Sequence, residues 1–104
     1  MNFTQYQTEA MSFRLKSADD IYAMMNLAGE VGELLSLEAK GRRDGYNLAD
    51  YKENLKKELG DILWCVAAIA EDNCLDLEEV AIGNIVKLNS RKAKGTICGS
   101  GDNR

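Results

Sequence analysis

At 104 residues the chain is long enough for one domain with a single core and too short for two. Thirteen lysines and arginines against seventeen aspartates and glutamates leave a net charge of -4, which argues against a nucleic-acid binder that neutralises backbone phosphates. There is no histidine, so zinc and non-haem iron sites of the usual imidazole kind are excluded, as are Ser/His and Cys/His catalysis.

With no proline and few β-branched runs, the pattern predicts an all-α chain of four helices, residues 1–94 forming one domain. Asn2-Phe3-Thr4-Gln5 predicts a capped first helix with Phe3, Tyr6, Ala10 and Phe13 at helical spacing and an end near Leu15. Ser17-Ala18-Asp19-Asp20 resembles a capping box and opens a second helix through Ile21, Met24, Leu27, Val31, Leu34 and Leu35. That helix is expected to stop at Gly41 after about 22 residues, and Gly41 to Tyr46 reads as a polar loop. Asn47 with Asp50 caps a third helix that continues through Trp64, Val66 and Ile69 to Asn73. Asp76 with Glu79 opens a fourth, with Leu77, Val80, Ala81, Asn84 and Leu88 on one face, fraying near Lys92. Residues 95–104 hold three glycines and no periodicity, and are expected to form a flexible C-terminal tail. The alternative is a segment that orders over a ligand through its amides, Asp102 or Arg104.

Cys65, Cys74 and Cys98 are odd in number and form no C-x-x-C pair, which fits free thiols in a reducing compartment. No apolar run reaches ~18 residues and Met1 opens no leader-like segment, so a cytoplasmic protein off the membrane is expected.

The second and third helices carry Glu30-Val31-Gly32-Glu33 and Glu58-Leu59-Gly60-Asp61. Each is a carboxylate pair at i, i+3, so both acids of a pair project from nearly one side, and two such pairs can face each other across a bundle. Glu58 falls within the apolar arc of Leu55, Ile62, Cys65 and Ile69, where the helix pattern asks for a hydrophobe. A single E-x-x-E is ordinary on a solvated face; an inward acid in a doubled motif is not, because an unpartnered buried carboxylate costs several kcal/mol. Four oxygen donors suit a hard cation, Mg²⁺ or Mn²⁺, which keeps some waters and accepts phosphate oxygens as further ligands. Gly29, Gly32 and Gly60 interleave with the acids and suggest a close approach there. On the fourth helix Asn84, Lys87 and Arg91 line one side, and opposite a cluster of acids the two cations become candidates for phosphate contacts.

Gly-Glu30-x-x-Glu33-Leu, Glu58-Leu-Gly-Asp61-Ile-Leu-Trp, an Asp-Leu-Glu-Glu opening and Asn84-x-x-Lys87-Leu-x-x-Arg91 together resemble the MazG-like nucleoside triphosphate pyrophosphohydrolases, from about Asp20 to Lys94. Gly29 stands where many relatives carry another acid. The resemblance implies a four-helix bundle-like MazG fold assembled as a dimer or dimer of dimers, and cleavage of a (d)NTP to the monophosphate and pyrophosphate. It implies that Glu30, Glu33, Glu58 and Asp61 bind Mg²⁺ or Mn²⁺ and act in catalysis, with Glu30 favoured to orient the water. Lys87 and Arg91 would then hold phosphates and Asn84 a sugar or phosphate oxygen. Rival readings are a dUTPase-like enzyme, a phosphoribosyl-ATP pyrophosphohydrolase, and a non-catalytic helical oligomerisation module. Met24, Met25, Leu35 and Trp64 spread widely around their helices, which independently predicts a partner surface and an obligate oligomer; that it is a homodimer or homotetramer is what the resemblance implies. Trp64 and Tyr46 are the aromatics able to stack on a base, although Trp64 is better placed to pack on the first helix or a partner.

Overall fold

The computed structural model describes residues 1–104 and contains four helices and no strand: α1 Phe3–Met11, α2 Asp20–Asp44, α3 Leu48–Asp72 and α4 Leu77–Lys94. Three of the four starts follow the capping residues. The Asn2 side chain accepts from the Gln5 amide at 2.8 Å while Gln5 Oε1 accepts from the Asn2 amide at 2.8 Å, a complete capping box. Asn47 accepts from the Asp50 amide at 3.3 Å and Asp76 from the Glu78 amide at 3.0 Å. At α2 the expected box is absent, since Asp19 occupies the cap without a side-chain bond and Asp20 accepts from the neighbouring Ile21 amide instead.

Two ends differ from the sequence expectation, each because of a residue distant in the chain. Helix α1 stops at Met11, short of Leu15, and Phe13 is exposed. Arg14 draws the following turn onto α3: it donates to both Asp72 carboxylate oxygens at 2.7 and 2.9 Å and to the carbonyls of Ala18 and Asp19 at 2.6 and 3.0 Å. Helix α2 continues past Gly41 to Asp44. Gly41 is there for clearance, because a Cβ on it would lie 2.1 Å from a ring carbon of Tyr46.

Helices α2 and α3 are each 25 residues long, joined by three residues, and pack against each other as an antiparallel hairpin. The close approach rests on small side chains: Ala23 on α2 and Cys65 and Ala68 on α3 are wholly buried, and Ala67, also wholly buried, shares its helix face with Trp64 and Glu71, which meet α1. Helix α3 is central and touches the other three helices. Helix α1 lies on its second half, where Trp64 Nε1 donates to the Ala10 carbonyl at 3.1 Å, so Trp64 packs on the first helix. Buried Gln7 ties three elements together, its amide donating to Glu71 Oε2 and the Leu75 carbonyl, both at 2.9 Å, and its carbonyl accepting from the Leu77 amide at 2.7 Å. Helix α4 is anchored by its first turn, with the Phe3 amide donating to Glu78 at 2.7 Å and the Thr4 hydroxyl to Asp76 at 2.8 Å.

Helix α4 makes no contact with α2, so the four helices do not close around a common core within one chain. The radius of gyration is 16.6 Å, against about 13 Å for a compact chain of this length. Ile21, Met24, Met25 and Leu35 on α2, and Ile82, Ile85 and Val86 on α4, are all exposed. No helix is long and apolar enough to cross a membrane.

The exits of α3 and α4 use the same device with different residues. The Leu75 amide donates to Ala70 O at 2.8 Å and the Cys74 amide to Glu71 O at 3.1 Å, around Cys74 at φ 56°. At the second exit the Thr96 amide donates to Arg91 O and the Gly95 amide to Lys92 O, around Gly95 at φ 69°. A side chain in the left-handed region carries a steric cost of about 1 kcal/mol that glycine escapes. Cys74→Gly is therefore expected to raise the unfolding free energy by about 0.5–1 kcal/mol, and Gly95→Ala to lower it by about 1 kcal/mol. Urea titrations check both, and a Cys74→Gly midpoint below wild type would show that the thiol contributes more than the backbone strain removes.

Candidate metal centre

The antiparallel pairing of α2 with α3 brings the two acid pairs to one place. One carboxylate oxygen from each of Glu30, Glu33 and Glu58 lies within 4.8 Å of the others. Asp61 stands outside that triplet but close by, and its charge acts on both Glu30 and Glu58. Glu30 and Glu58 are half-buried, whereas Glu33 and Asp61 are exposed. Glu30 Oε2 and Glu58 Oε2 are buried atoms with no hydrogen-bond partner. None of the four acids belongs to an ion pair.

The electrostatics follow from that geometry. Burial pushes the Glu30 carboxyl above its ordinary value, and the charges of Glu33, Asp61 and Glu58 push it further. Glu58 is raised by burial and then by Glu33 and Asp61, and Glu33 lies close enough to each of them to share a proton. Every charge acting on the two acids is negative. Such a cluster is stable only when protons or a cation neutralise it, and its all-oxygen donors with two orphaned lone-pair sets fit a hard divalent ion.

Three neighbours carry no role in the sequence reading. Asn26 lies one turn before Glu30 and donates through Nδ2 to Cys65 Sγ at 3.5 Å, bridging α2 and α3 beside the acids. The Cys65 thiol is raised by burial and by the charges of Glu30 and Asp61. The Tyr6 phenol, from α1, is raised by burial and by the charges of Asp61 and Cys65. The i−4 spacing of Asn26 from Glu30 was the available signal; Tyr6 had none, since it arrives through the fold.

Gly29, Gly32 and Gly60 do not mark a close approach within the chain: a Cβ on any of them would meet nothing within 4 Å. Tyr46 rests on Gly41, its hydroxyl donating to Glu38 Oε1 at 2.8 Å and its ring meeting Tyr51 edge-on at 5.0 Å. Tyr51 donates to the other Glu38 oxygen at 2.6 Å, so the pair braces the far end of the hairpin. Asn84, Lys87 and Arg91 lie on α4, which does not reach α2, so one chain does not bring them to the acids. Asn84 is exposed, whereas Lys87 and Arg91 face the tail: Lys87 Nζ is 3.4 Å and Arg91 Nη2 3.3 Å from Asp102 Oδ1.

Comparison with known proteins comes from two directions. The profile of the family described as the MazG nucleotide pyrophosphohydrolase domain matches residues 21–96, which hold all four acids, Asn84, Lys87 and Arg91. A protein of Mycobacterium phage L5 named Gene 37 protein is 42% identical over 85 residues, spanning 80% of this chain and 75% of that protein. No solved structure matches.

The raised carboxyls predict an unusual pH dependence for the metal-free protein. Glu30 and Glu58 titrate above their ordinary value of 4.5 when folded, so over that interval the native state binds more protons than the unfolded chain. Their destabilisation is present above the folded pKa and is relieved as pH falls through it. The lowered carboxyls of Glu38 and Asp102 act oppositely, but lose their stabilising effect only below the ordinary carboxylate range. Melting in chelator is therefore expected to shift upward as pH drops from about 7.5 to about 5, and Glu58→Gln to raise the pH 7 midpoint and flatten that slope. A wild-type midpoint that falls throughout this window contradicts the assigned electrostatics.

Proposed function

The chain belongs to the MazG nucleotide pyrophosphohydrolase domain family, and from that membership we propose that it is a nucleoside triphosphate pyrophosphohydrolase dependent on Mg²⁺, with Mn²⁺ as a substitute. The observation that carries the reading is the triplet of Glu30, Glu33 and Glu58 oxygens within 4.8 Å, two of the acids having a buried oxygen with no partner. A helical module with no catalytic role gains nothing from such a cluster, which costs folding energy until it is neutralised.

In this reading Glu30, Glu33, Glu58 and Asp61 hold the cation. A bound divalent ion supplies charge neutralisation for the phosphate oxygens and stabilises charge developing in the displacement. Glu30 is the acid most surrounded by other carboxylates, and it is assigned to orient a water toward the α-phosphorus and to take its proton. Oxygen bonds to the α-phosphorus, the α–β anhydride breaks, and pyrophosphate leaves with the former bridging oxygen. Lys87 and Arg91 hold phosphate oxygens and Asn84 a sugar or phosphate oxygen.

The acids of one chain and its α4 cations lie apart, and the exposed apolar faces of α2 and α4 are unpartnered. A second copy that covers these faces and brings its fourth helix toward the acids resolves both features, giving a dimer or dimer of dimers. Static light scattering at micromolar concentration is expected to report a dimer or larger; a monomer opposes the assembly.

The test of activity is pyrophosphate release from a panel of (d)NTPs and phosphoribosyl-ATP with and without Mg²⁺. The same panel separates the dUTPase-like and phosphoribosyl-ATP alternatives. Turnover is expected only with the metal, and Glu58→Gln is expected to lower kcat/KM by about a hundredfold or more while circular dichroism stays helical. Full turnover in excess chelator, or in Glu58→Gln, would sink the catalytic assignment.

A further inference from the structure

Arg91 is 6% exposed, yet the only carboxylate it meets is that of Asp102, whose side chain is 86% exposed. The contact is poor for a buried guanidinium. Arg91 Nη2 reaches Asp102 Oδ1 at 3.3 Å, the Asp102 carbonyl at 3.1 Å and the Gly101 carbonyl at 3.4 Å, and Lys87 Nζ reaches the same Asp102 oxygen at 3.4 Å. Charge-assisted bonds of this kind are normally about 2.7–2.9 Å, as they are between Arg14 and Asp72 at 2.7 and 2.9 Å. Arg91 Nε is buried and has no acceptor at all. The Nε–Nη2 edge that grips an oxyanion through two parallel bonds is thus half-filled: Nη2 is divided among two tail carbonyls and one carboxylate oxygen, the last shared with Lys87, and Nε has nothing.

The strap that delivers this oxygen has an internal clasp of its own. Arg104 folds back and donates to the carbonyls of Thr96 at 3.0 Å, Ile97 at 3.0 Å and Gly101 at 2.6 Å. Gly95, Gly99 and Gly101 take positive φ, so the turn depends on residues that adopt it without strain and leave it as easily.

We propose that the Lys87–Arg91 pair is an anion site whose resident occupant is the chain's own Asp102, and that the phosphate chain of a nucleotide or pyrophosphate displaces the residue 95–104 strap to take its place. This rests on the assignment of Lys87 and Arg91 to phosphate made above, and adds to it that the site is self-occupied before ligand arrives. A phosphate chain offers several charged oxygens where Asp102 brings only one within reach, enough to fill both Nε and Nη2 and still reach Lys87. Asp102 is then a competitor of the ligand and not one of its holders.

Inorganic pyrophosphate, added to the metal-free full-length protein, tests the exchange without turnover. Without a cation the carboxylate cluster repels anions, so binding reports on the α4 cations. Pyrophosphate is expected to accelerate hydrogen exchange at the amides of residues 97–103 by about tenfold or more. Asp102→Asn is expected to bind it roughly three- to tenfold more tightly by calorimetry, and Lys87→Ala about tenfold more weakly. Equal affinity in wild type and Asp102→Asn overturns the proposal, as does undetectable binding to Asp102→Asn. Tail exchange that slows or stays unchanged with pyrophosphate bound also overturns it, slowing being the mark of a tail that closes over its ligand. Absence of nucleotide hydrolysis in the presence of Mg²⁺ would count against the enzymatic assignment alone.

Discussion

The constraint on which the rest of the molecule depends is the close packing of α2 on α3. Ala23, Cys65 and Ala68 are wholly buried, and these small side chains let the two 25-residue helices approach closely beside the acids. Once that distance and the antiparallel direction are set, the i, i+3 pairs on each helix have nowhere to go but toward one another. The packing gained at the alanines is what holds Glu30, Glu33 and Glu58 within 4.8 Å against their own repulsion. A bulkier residue at Ala23 or Cys65 would push the two helices apart even if no acid were touched.

The same helix sets the positions of everything else. Trp64 receives α1 through the Ala10 carbonyl, and the Schellman turn at Cys74 aims α4 away from α2. Gln7 locks that direction by satisfying both sides of the turn with one buried amide. Helix α4 therefore projects as an arm, fixed at its first turn and carrying its cations at the far end. The distance between acids and cations is thus a consequence of the α3 exit and not of any weakness in the fold.

What was legible in the sequence was local. Asn2, Asn47 and Asp76 cap helices within three residues of themselves, so their signals survive without knowledge of the fold. The inward position of Glu58 followed from periodicity alone, and its orphaned oxygen is the physical form of that misfit. The helix ends that differ depend on partners far away: α1 stops where Arg14 turns to Asp72, 58 residues distant, and α2 continues because Gly41 serves Tyr46. The bond between Asn26 and Cys65 and the effect of Asp61 on Tyr6 likewise required helices to meet. Arg91 was legible as a cation and its residue type pointed to oxyanions, but periodicity could not show that Asp102, eleven residues on, would be seated against it.

A chain built this way has two unmet demands, and they couple. Seven buried apolar residues give a small core, and the exposed faces of α2 and α4 are hydrophobic area that stabilises nothing until covered. The carboxylates subtract from that stability until neutralised. Any species that binds only the folded form adds RT ln(1 + [L]/Kd), so the proposed cation at the acids and the proposed second chain on the apolar faces would each raise folding stability by mass action. Stability and the proposed function therefore draw on the same features: the acids that weaken the empty chain by their repulsion are the ones proposed to hold a cation, and the apolar face of α4 that finds no partner in one copy is the one proposed to meet another.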